Sequence, residues 1–306
     1  MSKILVIRGG AIGDFILTFP VLSALRQQFP NATLEVLGYP HIAQLAVTGG
    51  LADAVRSIEA RSLAGFFARG GVLEPELQAY FARFAIVISY LYDPDGIFEA
   101  NVRRSCQGQF IAGPHRPDES KNEHATGVFL EPLKRLAIFD PDAVPRLTVS
   151  QRQTPSSLPA NCIAIHPGSG SETKNWAVEN WIELARQLLN STAASLLIIG
   201  GEAESTKIER FKSALTRQRA EFAFNVPLPA LAERIASCSL FIGHDSGITH
   251  LAAAVGVPVV SLWGESNDAI WAPRGDHVFV VRSSSDLKDL GVAAVMKAVT
   301  RLGGFG

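Results

Sequence analysis

The chain has 306 residues, of which 47% are hydrophobic and 19% are charged. This length exceeds what one hydrophobic core usually supports, so we expect two ordered domains of about 150 residues each. The formal net charge is −1, which argues against nucleic acid as the main partner. Any site for an anion must therefore be built locally from a few groups.

The cysteines and the hydropathy pattern indicate a cytoplasmic protein. Three cysteines lie among apolar residues without metal-ligand spacing, which is typical of small buried side chains in a reducing compartment. They are Cys106, Cys162 and Cys238. The apolar stretch at residues 4–7 is too short for a signal peptide, and the uncharged run at residues 251–264 is too short to span a membrane. Contact with a membrane surface stays open.

The first half alternates between strand and helix patterns. Residues 4–7 form an unbroken apolar run, which predicts a strand buried on both faces of a parallel sheet. A glycine-containing turn follows, and residues 15–29 predict a helix. Further strands are predicted at residues 34–37, 55–58, 86–90 and 110–112. This alternation predicts a doubly wound α/β domain over residues 1–150.

The pattern restarts after a linker rich in Pro, Ser and Gln at residues 151–160. Strands are predicted at residues 162–166, 196–199, 222–224, 240–243 and 257–262. Helices are predicted at residues 181–189, 206–215, 228–236 and 247–255. The second α/β domain covers residues 161–286, and residues 287–306 contain a closing helix over 287–302. The predicted fold class is α/β, with two Rossmann-like doubly wound domains facing a central cleft.

The first chemical motif, RGGAIGD at residues 8–14, directly follows the first strand. A dinucleotide fingerprint needs a third glycine where Arg8 stands, which argues against a nicotinamide-dependent enzyme. The glycines let a ligand approach the backbone, so Gly13 is a candidate ligand contact. Asp14 is either a helix N-cap or a catalytic carboxylate, and the turn alone does not decide between them.

The second motif is HPGSGSETKNW at residues 166–176, again after a buried strand. Its small residues leave backbone N–H groups and the Ser169 hydroxyl free to bind phosphate oxygens. Lys174 adds a cation that could neutralise a departing diphosphate. The alternative is an ordinary flexible loop before the next helix.

The third motif, IIGGEAE at residues 198–204, ends another strand. The Glu202 carboxylate could accept hydrogen bonds from the hydroxyls of a ribose or from an adenine amino group. The alternative is acid placement at a helix N-terminus, which accounts for Glu204 more readily than for Glu202.

The fourth motif, FIGHDSGITHLAAA at residues 241–254, is the most informative. A helix that starts near Ser246 and Gly247 offers free N–H groups and a partial positive charge to an anion. Asp245 is a ligand contact or an N-cap. His250 lies four residues after Ser246, on the same helix face, and is a ligand contact or a packed, hydrogen-bonded histidine.

These four motifs occur in an order that resembles the bacterial ADP-heptose–lipopolysaccharide heptosyltransferases, glycosyltransferase family nine. The resemblance covers nearly the whole chain and implies the GT-B fold, an inverting reaction, an ADP-sugar as co-substrate, and no metal or other cofactor. It implies that Asp14 is the general base. The donor contacts it implies are phosphate contacts at Ser169, Lys174, Ser246 and Gly247, a nucleoside contact at Glu202 and a sugar contact at Asp245.

The resemblance implies transfer of a sugar, heptose in this family, to a lipopolysaccharide-core or related glycan acceptor. It implies that residues 1–150 form the acceptor-side domain and residues 161–286 the nucleotide-sugar-binding domain. Residues 61–122 match no acceptor pattern, so the donor and the acceptor stay open. A transferase with another donor or acceptor, and a sugar-nucleotide-binding assembly protein without turnover, are the alternatives. Retention of both Asp14 and Lys174 argues against the assembly protein without turnover.

Two further patterns have ordinary explanations. Asp93-Pro94-Asp95 has the D-x-D form of a metal site, but a proline-containing turn explains it better. A basic segment with two phenylalanines could contact anionic glycolipid at the cytoplasmic face of the inner membrane, or could be a solvated helix with a core face. Its residues are Arg56, Arg61, Phe66, Phe67 and Arg69.

Overall fold

The structure is a computed structural model that describes residues 2–149, 161–171, 174–216, 218–283 and 286–303. The chain divides into two compact units, Met1–Leu147 and Thr148–Gly306. The predicted linker at residues 151–160 lies outside the described residues, as do Glu172 and Thr173 of the second motif. Each unit contains one parallel sheet with helices between its strands, which confirms the predicted α/β class.

The first unit builds its sheet from the five strands that the apolar stretches predicted. The strands are β1 (Lys3–Arg8), β2 (Thr33–Gly38), β3 (Ala54–Ser57), β4 (Ile86–Ser89) and β5 (Gln109–Ala112). The helices are α1 (Ile12–Ile16), α2 (Phe19–Gln28), α3 (Pro40–Thr48), α4 (Pro75–Phe81), α5 (Ile97–Arg103) and α6 (Ala125–Leu130). Short 3₁₀ helices cover Arg61–Phe67, Glu119–Lys121 and Glu131–Leu136.

The strand order of the first sheet is β3-β2-β1-β4-β5, and all neighbouring pairs are parallel. The chain moves outward from β1 to β3 and then returns to place β4 on the other side of β1. The loops after β1 and β4 therefore diverge, and such a switch point is where open parallel sheets bind ligands. Five of the six residues of β1 are buried, which explains its unbroken apolar run.

The helix predicted over residues 15–29 is two helices in the structure, so that prediction was wrong. α1 ends at Ile16, and α2 starts at Phe19. Pro20 explains the break, because proline has no N–H for the carbonyl of Ile16 and its ring crowds that carbonyl. The short helix that carries Asp14 is thus separate from the longer one.

The second unit has a six-stranded sheet. The strands are β6 (Cys162–His166), β7 (Ser195–Gly200), β8 (Ala220–Phe224), β9 (Leu240–His244), β10 (Val259–Trp263) and β11 (Val278–Arg282). The helices are α7 (Val178–Ser191), α8 (Ser205–Ala214), α9 (Leu228–Ala236), α10 (Gly247–Ala254), α11 (Asp268–Trp271) and α12 (Val292–Gly303). Two 3₁₀ helices cover Glu202–Glu204 and Leu287–Asp289.

The strand order of the second sheet is β11-β10-β9-β6-β7-β8, again with all pairs parallel. Its switch point lies between β6 and β9, which end in His166 and His244. The second and fourth motifs therefore leave the sheet side by side at its carboxyl edge. β11, which pairs with β10 at the sheet edge, was not predicted from the sequence.

The closing helix is shorter than predicted. Residues 287–289 form a 3₁₀ turn, and α12 begins only at Val292. The Leu290 carbonyl accepts the Trp176 indole N–H at 2.7 Å, and Gly291 follows it, so the chain is held outside the helix at this point. α12 then packs against α7 and β11 within the second unit.

Each unit has its own hydrophobic core. Phe66, Phe81 and Phe98 lie in the first core, and Trp176 and Trp181 lie in the second, with their ring centroids 5.2 Å apart. All three cysteines are buried free thiols, as predicted. Among the described residues, no helix has both the length and the apolar composition needed to cross a membrane.

Candidate functional site

The glycine-rich turn after β1 places Asp14 in the first turn of α1. Asp14 is the third residue of that helix, Gly13 is the second, and Ala11 is the N-cap, so the N-cap alternative for Asp14 was wrong. The Asp14 carboxylate still helps to cap the helix, because its Oδ2 accepts the backbone N–H of the N-cap residue Ala11 at 3.1 Å. Gly10 has φ of +100°, and a Cβ there would lie 3.0 Å from Asp14 Oδ2, so glycine lets the carboxylate fold back over the turn.

A buried arginine lies beside Asp14. The Arg8 side chain is 3% exposed and donates to the His115 carbonyl at 2.9 Å and to the Asp14 carbonyl at 3.3 Å. Its Nη2 lies 3.7 Å from Asp14 Oδ1. Burial lowers the pKa of Arg8, and the charge of Asp14 opposes that shift. Sequence analysis missed this residue, although a charge at the end of an apolar buried strand is a usable signal.

A cavity of about 480 Å³, here called the larger cavity, lies beside this turn. Its walls come from the loops at the carboxyl edge of the first sheet, and they include Arg8, Asp14, Tyr39, Glu59, Tyr92 and His115. The Asp14 side chain is 31% exposed. A half-buried carboxylate on a cavity wall, fixed on one oxygen by a backbone N–H, can accept a proton from a bound hydroxyl.

In the second unit, the loop after β6 packs against the end of β7. Glu204 is buried, and its Oε2 accepts the Gly201 N–H at 2.9 Å. A Cβ on Gly168 would lie 2.2 Å from Glu204 Oε1, so a side chain there would displace the Glu204 carboxylate. Glu202 is exposed. Glu204 thus has the helix-start role that the sequence favoured, and it also supports the loop. The Ser169 hydroxyl donates to the Ser171 carbonyl at 2.7 Å.

The structure joins the second and fourth motifs through an ion pair. Lys174 Nζ lies 2.5 Å from Asp245 Oδ2, and the Ser266 hydroxyl donates to the same oxygen at 2.8 Å. The Asp245 side chain is 13% exposed and that of Lys174 is 42% exposed. Asp245 is not the N-cap of α10, because Ser246 occupies that position. The ion pair therefore lies directly before the helix start. Ser266 has no motif signal in the sequence.

A fully buried histidine holds both flanks of the loop that carries Lys174. His244 Nε2 accepts the Trp176 backbone N–H at 2.8 Å and the Trp181 indole N–H at 3.3 Å. The ring proton is therefore on Nδ1, which donates to the Gly168 carbonyl at 3.3 Å. Burial lowers the pKa of His244 to about 3, so the ring is neutral near pH 7. Sequence analysis missed this role.

Buried hydroxyl groups make hydrogen bonds at the first turn of α10. Ser246 accepts the Thr249 N–H at 3.4 Å and lies 3.3 Å from His166 Nδ1. Burial lowers the pKa of His166 to about 4. Gly247 is half-buried and is the first residue of α10, whose leading N–H groups have no partners inside the helix. His250 is buried on this helix, so the packed-histidine alternative agrees with its position.

The two remaining patterns serve the fold. The Asp93 carboxylate accepts the backbone N–H groups of Phe98 and Glu99 at 3.1 and 3.0 Å, which is turn chemistry, as predicted. Phe66 is fully buried and Phe67 is 48% exposed, so their segment has a core face; its contact with a membrane stays a prediction. Within the part of the chain that the structure describes, no group of three or more His, Cys, Asp or Glu side chains could hold a metal ion.

Proteins of a known family are similar to this chain in sequence. Residues 131–298, more than half of the chain, match glycosyltransferase family 9 (heptosyltransferase). Lipopolysaccharide heptosyltransferase 3 of Escherichia coli is 23% identical over 298 residues, which cover 87% of this chain and 84% of that protein.

Two solved structures from E. coli are similar over nearly the whole chain. Heptosyltransferase WaaC with ADP has a TM-score of 0.77 at 19% identity and covers 98% of this chain and 99% of its own. ADP-heptose lps heptosyltransferase II has a TM-score of 0.80 at 18% identity and covers 98% of both chains. Such identities show the fold alone, and that fold is the GT-B fold that the resemblance implied. Together with the family match, it shows that this chain belongs to glycosyltransferase family 9, the heptosyltransferases.

Proposed function

We propose that this chain transfers heptose from ADP-heptose to a lipopolysaccharide-core or related glycan acceptor, with inversion at the anomeric carbon. The observation that carries the proposal is the Lys174–Asp245 ion pair directly before the start of α10, at the switch point of the second sheet. This position is the usual ligand site of a doubly wound sheet. It offers a cation and a helix N-terminus to one diphosphate.

On the donor side, the leaving group is ADP, whose diphosphate gains negative charge as the bond to the sugar breaks. Lys174 and the first N–H groups of α10 stabilise that charge, so the reaction needs no metal ion. Asp245 and Ser266 hold the lysine in place, and Asp245 also accepts a hydrogen bond from the donor sugar. Glu202, at the end of β7, contacts the nucleoside.

On the acceptor side, Asp14 is the general base. Its carboxylate lies on the wall of the larger cavity, where an acceptor hydroxyl binds and loses its proton to Asp14 as it attacks the sugar. Arg8 places a positive charge near this carboxylate, with its Nη2 3.7 Å from Asp14 Oδ1. The proposed base lies in the first unit, and the proposed donor contacts lie in the second. A substitution in the first unit should therefore leave donor binding intact, and a substitution in the second unit should leave acceptor binding intact.

Release of ADP from ADP-heptose tests the proposal. We expect release that depends on an added lipopolysaccharide-core oligosaccharide. Lys174→Met should weaken ADP binding about 10- to 100-fold, since a charge-assisted hydrogen bond contributes about 1.5–3 kcal/mol. Lys212→Met, which removes an exposed lysine of α8 in the same unit, should leave ADP binding unchanged.

Two outcomes would contradict the proposal in different ways. Tight ADP-heptose binding without ADP release for any core oligosaccharide would indicate a binding protein without turnover. Release from UDP- or GDP-sugars, but not from ADP-heptose, would indicate a family member with another donor. A thermal-shift panel of nucleotide diphosphates and sugar nucleotides separates these cases before any acceptor is known.

A further inference from the structure

A second, smaller cavity adjoins the larger cavity in the first unit. It has a volume of about 240 Å³ and lies beyond the ends of β4 and β5. Leu91, Tyr92 and His115 line both cavities, so these three residues form a shared wall between them. This smaller cavity has no part in the proposed transfer step, which uses only Asp14 and its surroundings.

The shared wall carries an exposed aromatic side chain. Tyr92 is 72% exposed, so most of its ring is accessible to a ligand. Its ring lies 4.7 Å from the His115 ring at an interplanar angle of 61°, in an edge-to-face contact. His115 therefore packs against one side of the Tyr92 ring, and most of that ring stays accessible.

The residues next to this aromatic pair are fixed by partly buried hydrogen bonds. Asp93, which follows Tyr92, accepts two backbone N–H groups at the start of α5. The His115 carbonyl accepts from Arg8, the same guanidinium that donates to the Asp14 carbonyl. The aromatic pair is thus held in place before a ligand binds, and such preorganisation lowers the entropy cost of binding. It is also linked through Arg8 to the residue that we propose as the base.

The smaller cavity has the chemistry of a site for one sugar ring. Phe110, Pro94 and Pro114 supply apolar surface, and Glu99 and Ser89 supply polar groups. A sugar ring has an apolar face of C–H groups and a rim of hydroxyls. An accessible aromatic face beside a few hydrogen-bonding groups matches both features. The Glu99 carboxylate also pairs with Arg103, which holds it in position.

We propose that the acceptor glycan is bound across two sugar units. The sugar that receives the transferred residue occupies the larger cavity at Asp14, and the next sugar occupies the smaller cavity against Tyr92. This inference rests on the proposed function, because it assumes that the acceptor is a glycan. It implies that the smallest good acceptor is a disaccharide.

Binding measurements test the two-unit site without requiring turnover. The probes are a heptose-containing disaccharide of the lipopolysaccharide core and its two constituent monosaccharides, each titrated against the full chain by calorimetry or ligand-observed NMR. We expect the disaccharide to bind more tightly than either monosaccharide. Tyr92→Ala should weaken disaccharide binding about 2- to 10-fold, the range of one aromatic contact. Because Tyr92 also lines the larger cavity, monosaccharide binding there should weaken too, but by less than disaccharide binding.

The controls separate loss of the aromatic ring from general damage. Tyr92→Phe keeps the ring and should bind the disaccharide as the wild type does. Phe139→Ala removes an aromatic side chain that is 65% exposed in the same unit but lines neither cavity, and it should have no effect. Should Tyr92→Ala fold poorly, Tyr92→Leu tests the same loss of the aromatic face in a larger side chain.

Equal affinity of the wild type for the disaccharide and the monosaccharides would overturn the proposal, as would Tyr92→Ala and Tyr92→Leu variants that bind the disaccharide normally. Failure of the proposed function is a different result, since it appears as absent ADP release while glycan binding persists. With an active acceptor, Tyr92→Ala should raise KM for that acceptor and leave kcat near the wild-type value.

Discussion

Replacing His244 with phenylalanine tests whether one buried ring holds the Lys174 loop in place. Phenylalanine has a similar shape but accepts no hydrogen bond, so the Trp176 N–H and the Trp181 indole N–H would both lose their buried acceptor. A buried donor without a partner costs about 1–3 kcal/mol. His244→Phe should therefore lower the free energy of unfolding of the second unit by about 2–6 kcal/mol at pH 7. ADP binding should weaken as the loop loosens.

The same substitution should change how stability depends on pH. In the folded chain His244 and His166 have pKa values lowered to about 3 and about 4, against 6.5 in the unfolded chain. Between pH 7 and pH 5 the unfolded state therefore takes up a proton at each histidine, and the folded state does not. Stability that is fully present above pH 6.5 is lost as the pH falls towards the folded-state pKa values.

The size of this loss follows from the pKa difference. One pKa unit corresponds to about 1.4 kcal/mol, so each histidine destabilises the fold by about 2 kcal/mol when the pH falls from 6.5 to 5. The wild type has both histidines, and the variant keeps only His166. The difference in the free energy of unfolding between the two proteins should therefore narrow by about 2 kcal/mol between pH 7 and pH 5.

Urea titrations followed by tryptophan fluorescence measure this difference in the correct unit, because all four tryptophans lie in the second unit. They are Trp176, Trp181, Trp263 and Trp271. His244→Gln is the matched control: its amide oxygen can accept a hydrogen bond, so it should regain part of the stability at pH 7. Glutamine does not titrate. The difference in the free energy of unfolding between the wild type and His244→Gln should therefore also narrow by about 2 kcal/mol between pH 7 and pH 5. A constant difference between pH 7 and pH 5, or a His244→Phe variant as stable as the wild type, would refute the reasoning.

Three further predictions address the chemistry. Asp14→Asn should keep the hydrogen bond from Ala11 N–H and bind the donor normally, but lower turnover by about 10²–10⁴, whereas Asp95→Asn, an exposed control in the same unit, should not. A stable Asp14→Asn variant with near wild-type turnover would end the general-base assignment. Transfer should continue in excess EDTA, because Lys174 and α10 supply the positive charge; a strict Mg²⁺ or Mn²⁺ requirement would contradict this. A fragment of residues 148–306, which has its own hydrophobic core, should bind ADP. If the full-length chain binds ADP and the folded fragment does not, the donor site needs the first unit.

Much of the fold could be predicted because parallel strands buried on both faces leave unbroken apolar runs in the sequence. The runs at residues 4–7 and 162–166 lie within or coincide with β1 and β6. The errors arose where another interaction overrode the periodicity. Pro20 divides the helix predicted at residues 15–29, and the Trp176 indole holds the Leu290 carbonyl outside the closing helix.

The location of the candidate site followed from topology, but its contacts did not. Parallel strands bring their carboxyl ends to one edge, so the motifs that follow predicted strands were candidates for a ligand site at that edge. The sequence does not show that Lys174 pairs with Asp245, 71 residues later in the chain, or that Ser266 shares the same oxygen. Side-chain partners at such separations depend on how loops close over a sheet, and spacing along the chain does not encode that.

The ion pair also shows how a nearly neutral chain can have a site for the anionic co-substrate that we propose. Asp245 neutralises Lys174, so the donor site has little net charge of its own, and the leading N–H groups of α10 are its main fixed source of positive potential. A neutral site binds a diphosphate through directed hydrogen bonds rather than through excess charge, which favours a ligand of the right shape over any polyanion. Lys174 then contributes most when charge develops on the leaving group, because a cation that is already held in place needs little rearrangement at that moment. Under the proposed function, the local pairing thus explains how a chain with a formal net charge of −1 binds a diphosphate without a strong basic bias.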